Sequence, residues 1–118
     1  MADHALFVGW GEIITGREQQ AARVFGETMD YFGRLQQQGE IAGVAPFVLE
    51  PHGGDLGGFF LIRGELDALA RVRASQEFGR VILRARMVVH KVGVVAAATG
   101  DELARQLGDF QQEAAALA

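Results

Sequence analysis

The feature that most constrains this chain is a set of four β-like runs that are apolar on both sides. In residues 5–14, one parity reads Leu6, Val8, Trp10, Glu12, Ile14 and the other Phe7, Gly9, Gly11, Ile13. A strand with one face in water alternates apolar and polar residues. Here neither parity turns polar until its end, so both sides need cover. The chain supplies few helices to provide it. The pattern therefore speaks to layers and copies, and it does not name a reaction.

Local signals place the elements. After the first run, Thr15-Gly16-Arg17-Glu18 has capping-box spacing, in which each side chain satisfies a free amide at a helix start. The spacing predicts a helix over residues 17–38, with Ala22, Phe25, Met29, Phe32 and Leu35 as its apolar stripe and Gly39 as its stop. A second strand is expected over residues 41–50, with Val44 and Val48 on one face and Ala45, Phe47 and Leu49 on the other. Pro46 cannot donate a ladder hydrogen bond, which places this strand at a sheet edge. Four glycines within residues 51–58 suit a tight turn into a third strand over residues 59–63, so strands two and three form a hairpin. Leu66, Leu69 and Val72 open a helical region. Ser75 is expected to break it and cap a second segment carrying Phe78, Val81, Ile82 and Ala85. A fourth strand lies within residues 88–98. Thr99 and Glu102 repeat the capping spacing before a last helix with Leu103, Leu107, Phe110, Ala114 and Leu117 at steps of four and three.

With 118 residues, one domain is expected: a core over about residues 5–98 and a C-terminal helix over about 101–117. Hydrophobic residues make up 49% and charged ones 22%, an ordinary globular composition. A net charge of −4 without a basic run disfavours a nucleic-acid surface. The absence of cysteine excludes disulfides and thiolate metal sites. No apolar run has the length of a membrane span, and Met1-Ala2-Asp3-His4 lacks the basic start of a secretion signal. The expectation is a cytoplasmic protein with no membrane partner.

Strand, helix, strand, strand, helix, strand is the order of the ferredoxin-like α+β arrangement, βαββαβ, here with a C-terminal helix added. Right-handed crossovers put both helical layers on one face of a four-stranded antiparallel sheet of order 4-1-3-2. The other face, about 380 Å² in plan, is left bare. Burying it is worth on the order of 9 kcal/mol per subunit before association costs. A second copy can cover it face to face, or the terminal helix can fold back over it. One helix, about 10 Å wide, covers only about half of such a face, which favours the homodimer. The terminal helix then clamps the edge or reaches the partner. A charge at Val94 is expected to dissociate or unfold that assembly.

This layout, over about residues 5–117, resembles the dimeric α/β-barrel superfamily, which includes small cofactor-free monooxygenases, lactone isomerases and many bacterial proteins of unassigned function. The resemblance rests on strand order and two-sided strands. It implies a homodimer, no cofactor, and an apolar pocket between sheet and helices. It transfers no catalytic residue, because fold alone does not carry function.

Candidate chemistry is sparse. In Glu50-Pro51-His52-Gly53-Gly54-Asp55, His52 and Asp55 could shuttle a proton or join a metal site with another ligand; equally, this is a glycine-rich turn with its polar groups in water. No phosphate-loop ending follows the glycines, and no metal site is assigned. With strands one and three taken as parallel and strand four opposed, Glu12, Arg63, His90 and Lys91 share one end of the sheet, and His4, His52 and Asp55 the other. Glu12, Arg63 and His90 are then a catalytic candidate or an ion pair closing a barrel end. Trp10, Phe25, Met29 and Phe59 (or Phe60) are candidates for a ligand pocket, and are equally what a packed core requires. Arg71, Arg73, Arg80, Arg84 and Arg86 form either an anion site or a solvated helix face. Two functions follow: a small-molecule-binding or interaction homodimer holding an apolar ligand, or a cofactor-free enzyme on a small apolar, aromatic or lactone substrate with His90 or His52 as proton carrier.

Overall fold

The computed structural model describes residues 3–118; Met1 and Ala2, part of the N-terminal stretch read above, lie outside them. The elements are β1 (His4–Trp10), α1 (Glu18–Gln37), β2 (Gly43–Val48), β3 (Gly58–Gly64), α2 (Leu66–Ala74), α3 (Gln76–Arg86), β4 (Gly93–Ala98) and α4 (Gly100–Leu117). The four strands form one antiparallel sheet in the order β2-β3-β1-β4, the ferredoxin-like order expected. Pro46 lies on the edge strand opposite Phe60.

The direction of β3 differs from the expectation. β1 and β3 run antiparallel, with His4 opposite Gly64 and Trp10 opposite Gly58. The connections require this. The α1 crossover makes β1 and β2 parallel, the hairpin makes β3 oppose β2, and β3 lies between them. Arg63 therefore sits at the start of β1 with His4, and the His52–Asp55 turn sits at the end of β1 with Glu12 and His90.

The register assigns faces. Leu6, Val8 and Trp10 of β1, Phe60 and Ile62 of β3, and Val94 of β4 point toward α1, α2 and α3 and join the main core with Tyr31, Phe32, Leu69, Val72 and Phe78. The opposite parity gives a bare face of Phe47, Phe59, Leu61, Phe7 and Val95, on which Phe7 stacks on Phe59 at 4.9 Å and Phe59 on Phe47 at 4.7 Å. Phe47 and Val95 are 45% and 55% exposed. Val94 thus belongs to the helix-covered side, and Val95 is the residue that faces out.

Local chemistry explains the helix boundaries. Ser75 ends α2 and starts α3: its hydroxyl accepts from the Phe78 amide at 3.2 Å and donates to the Val72 carbonyl at 2.7 Å. Thr15 does not cap α1. Arg17 holds that position, and the Glu18 carboxylate instead accepts from the Gly16 amide at 3.1 Å. The buried side of α1 is Ala21, Val24, Thr28, Tyr31, Phe32 and Leu35, rotated from the expected stripe so that Ala22 and Phe25 fall at its margin. Thr28 can be buried because its hydroxyl donates to the Val24 carbonyl at 2.7 Å. No residue of α4 is buried, and α4 does not roof its own sheet.

Candidate functional site

The buried side chains fall into two clusters. The main core runs from the sheet to α1, α2 and α3; a smaller one joins Ala21 and Val24 of α1 to Val88 beyond α3. Between them is an open cavity of about 380 Å³. Its floor is Val8, Trp10 and Phe60, one wall is α1 through Val24, Phe25 and Thr28, and the other is α3 through Val81, Ile82 and Ala85. Small residues create the gap: Ala21, Ala22 and Ala85 stand where larger side chains would close it, and Gly9 adds only backbone to the lining. Its size lies at the lower end of the range of about 300–1,000 Å³ typical of small-molecule sites.

Three rings shape the cavity. Phe25 stacks on Phe60 at 5.4 Å, Trp10 lies 5.1 Å from Phe60, and Trp10 meets Phe25 edge-on at 6.0 Å. Trp10 in turn covers Gly58 on the neighbouring strand. A Cβ on Gly58 would stand 2.5 Å from the indole and 2.5 Å from the Phe47 carbonyl oxygen, so only glycine admits this ring position. Beyond Trp10 the chain leaves the regular ladder but stays tied to the segment before β4: the Gly11 amide donates to the His90 carbonyl at 2.7 Å, the His90 amide to Glu12 at 2.8 Å, and the Ile14 amide to Val88 at 2.9 Å. These bonds hold Ile13, Val88 and Val89 at one end of the cavity.

Polar groups are few. Thr28 is the buried one; its hydroxyl proton is taken by Val24, which leaves its oxygen able to accept from a ligand N–H or O–H. Glu18, exposed in the first turn of α1, is the one titratable side chain of the lining among the described residues. Of the pocket candidates, Trp10 and Phe25 line the cavity and Met29 packs against the core beside it. Phe59 faces the bare side of the sheet, and its neighbour Phe60 lines the cavity. Thr28 and the end formed by Val88 and Val89 were not singled out from the sequence.

The titratable candidates do not converge on the cavity. Arg63 lies at the far end of the sheet from Glu12 and His90. His90 and Glu12 are exposed and meet through backbone bonds. His52 accepts from the Gly54 amide at Nδ1 (3.3 Å) and its Nε2 is 2.8 Å from the Leu56 carbonyl, an arrangement that assigns the proton to Nε2. Asp55 pairs with Lys91 at 2.6 Å, which holds its carboxyl below the usual carboxylate range and ties the hairpin to the entry of β4. Among the described residues, no three His, Asp or Glu side chains group as metal ligands, and no helix is long and apolar enough to cross a membrane. Two exposed ion pairs tie α3 to α1: Arg84 of α3 with Glu27 at 2.7 Å, and Glu77 of α3 with Arg34 at 2.8 Å. Away from the cavity, burial pushes the Tyr31 phenol up, partly offset by its hydrogen bond with Ser75.

No family model matches the chain, and no curated protein sequence does. Solved structures do. A dimeric protein of unknown function with a ferredoxin-like fold from Bacteroides fragilis NCTC 9343 matches with a TM-score of 0.59 at 8% identity, over 81% of this chain and 96% of that one. SnoaB, a cofactor-independent oxygenase from Streptomyces nogalater, matches with a TM-score of 0.54 at 20% identity, over 84% and 95%. A candidate antibiotic biosynthesis monooxygenase from Caulobacter crescentus CB15 matches with a TM-score of 0.51 at 11% identity, over 84% and 92%. At these identities the likeness is one of fold: this chain has the ferredoxin-like fold.

Proposed function

We propose that the chain is a homodimer, paired through the bare sheet face, in which each subunit binds a small apolar ligand between the sheet and α1 and α3. The observation that carries the binding role is the open cavity of about 380 Å³ with three aromatic rings and a single buried polar side chain, Thr28. Dimerisation is supported by the row of Phe47, Phe59, Leu61, Phe7 and Val95, and by the dimeric Bacteroides neighbour.

Trp10 is the only tryptophan, so ligand binding reads out directly in its emission. The probes are 1-naphthol, which carries a donor for Thr28, and 1-methylnaphthalene, which does not. Both are expected to quench or shift Trp10 saturably. Thr28→Val removes the acceptor, and a hydrogen bond of this kind is worth about 1 kcal/mol, so it should weaken 1-naphthol roughly fivefold while leaving 1-methylnaphthalene unchanged. No saturable change with either probe up to its solubility limit would sink the binding role.

A second reading is an enzyme that works without a cofactor on such a ligand. The oxygenase among the structural neighbours favours it. The lining weighs against it, since neither His90 nor His52 is part of the cavity wall. Mass spectrometry of 1-naphthol recovered from the air-equilibrated complex separates the two: a new product supports the enzyme, an unchanged probe the binding protein.

A further inference from the structure

We propose that α4 is an arm that docks on the second copy of the chain, its apolar stripe sealing the rim of the sheet-to-sheet interface; this rests on the homodimer put forward above. The helix has 18 residues and none is buried. Leu107, Phe110 and Leu117 are 54%, 72% and 87% exposed, and with Leu103 and Ala114 they share one face. Helices of this length are marginal in water unless an apolar face is packed, so the stripe needs a surface.

The root of α4 is built to send it outward. β4 ends at Ala98, paired with His4, and the Thr99 amide donates to the Asp3 carbonyl at 3.0 Å. Gly100 then takes φ +59, and a Cβ there would stand 2.6 Å from the Asp3 carboxylate. Glycine and Asp3 together fix the direction in which the helix departs, away from its own sheet.

Area and charge both point to a second copy. The bare sheet is about 380 Å² in plan, under half of the roughly 800 Å² per partner that a standard interface buries. A helix about 27 Å long and about 10 Å wide brings the apolar plan area to about 650 Å² before side-chain relief is counted. Glu102, Asp109 and Glu113 lie about 80–120° to one side of the stripe; Arg105 pairs with the first two, which leaves Glu113 as the unpaired carboxylate of that flank among the described residues. On the bare face, the one charged side chain among the described strand residues is Arg63, exposed, opposite Ala5 and Gly43. Glu113 on the arm and a lone cation on the face are complementary. A lipid surface is a poor alternative occupant, because helices that lie on membranes carry Lys and Arg on the polar face, whereas α4 has only Arg105.

Sedimentation equilibrium on the full chain tests this. Leu107→Glu with Phe110→Glu is expected to raise the dimer Kd at least tenfold. Arg63→Glu is expected to raise it at least threefold at low salt, and Glu113→Arg in the same chain to reduce that loss. All four side chains are exposed in the subunit, and far-UV circular dichroism confirms that each variant is folded. If the wild type dimerises and the helix variant does so with the same Kd, or if Glu113→Arg does not reduce the Arg63→Glu loss, docking of α4 on the second copy is overturned and the sheet dimer stands. A wild type that stays at 12.7 kDa up to millimolar concentration overturns both.

Discussion

Val94 and Val95 are adjacent in β4 and face opposite ways, and this makes them a paired test of the assembly. Val95 lies opposite Phe7, within reach of the Phe7–Phe59–Phe47 stack, and is 55% exposed in the subunit. Full burial of a valine side chain is worth about 1.5–3 kcal/mol, so the exposed half offers each subunit about 1 kcal/mol on pairing. Val95→Asp loses that and puts an unpaired carboxylate into an apolar interface, and two-fold symmetry brings in two such carboxylates per dimer. A total of about 4 kcal/mol is a conservative sum, equivalent to a rise in Kd of roughly a thousandfold. In the isolated subunit the new carboxylate stays in water, so the fold loses no more than about 1 kcal/mol of strand preference.

Val94 behaves differently. It lies opposite Val8 and packs against the main core, so Val94→Asp buries a charge inside the subunit and is expected to unfold it, at about 3–5 kcal/mol. Sedimentation equilibrium and thermal denaturation followed by circular dichroism distinguish the two. Val95→Asp should give a folded monomer and Val94→Asp a chain that melts far lower or not cooperatively. A Val95→Asp protein that dimerises within threefold of the wild-type Kd refutes the bare face as the interface. A folded, monomeric Val94→Asp protein refutes the assigned parity of β4.

Two further outcomes follow from the geometry. Gly58→Ala places a methyl 2.5 Å from both the Trp10 ring and the Phe47 carbonyl oxygen; it should destabilise the fold by about 1–3 kcal/mol and shift Trp10 emission, and a variant with unchanged melting and emission would mean the ring does not lie over Gly58. The Glu102 carboxyl is held down to about 2 from the usual 4.5, chiefly by its hydrogen bond from Arg105 and then by that from Gln106. Because the folded value is the lower one, whatever stability this contact lends α4 is present above pH 4.5 and lost as pH falls toward about 2. The carboxyl carbon resonance of Glu102 should titrate near that lower value, and Arg105→Ala should return its midpoint toward 4.5; a wild-type midpoint already at 4.5 would deny the contact.

Features whose cause is local were legible in the sequence. Pro46 lacks an amide hydrogen wherever it stands, so an edge strand followed from the residue alone, and β2 is an edge strand. Ser75 followed in the same way, because a hydroxyl before an apolar turn satisfies a free amide, and it does so at Phe78. Strand order followed from the sequence of elements. Strand direction was available too, since the glycine turn before Phe59 already obliges β3 to oppose β2, and the crossover then obliges it to oppose β1. Taking β1 and β3 as parallel moved Arg63 and the His52–Asp55 turn to the wrong ends of the sheet. The gathering of Glu12, Arg63 and His90 was a consequence of that one direction.

The phase of a two-sided strand is a different matter. Phe59 and Phe60 are adjacent, both apolar, and suit either face, so the pattern that announced two buried sides could not say which side the helices occupy. Thr28 escaped notice because a hydroxyl counts as polar until its bond to the Val24 carbonyl, one helical turn back, is known. The cavity was least legible because it is a shortage of atoms where Ala21 and Ala85 face each other, and those residues come from two helices far apart in the chain. Each small residue has an ordinary local reason to be where it is. Only the rotation of α1 and its packing against α3 bring them together, and the antiparallel register sets which rings of the sheet face the gap. The same register puts Phe60 in the cavity wall and Phe59 on the bare face, so consecutive residues of β3 face the cavity and the uncovered side of the sheet. A one-residue slip of β3 would exchange them and bring Arg63 to the helix-covered side.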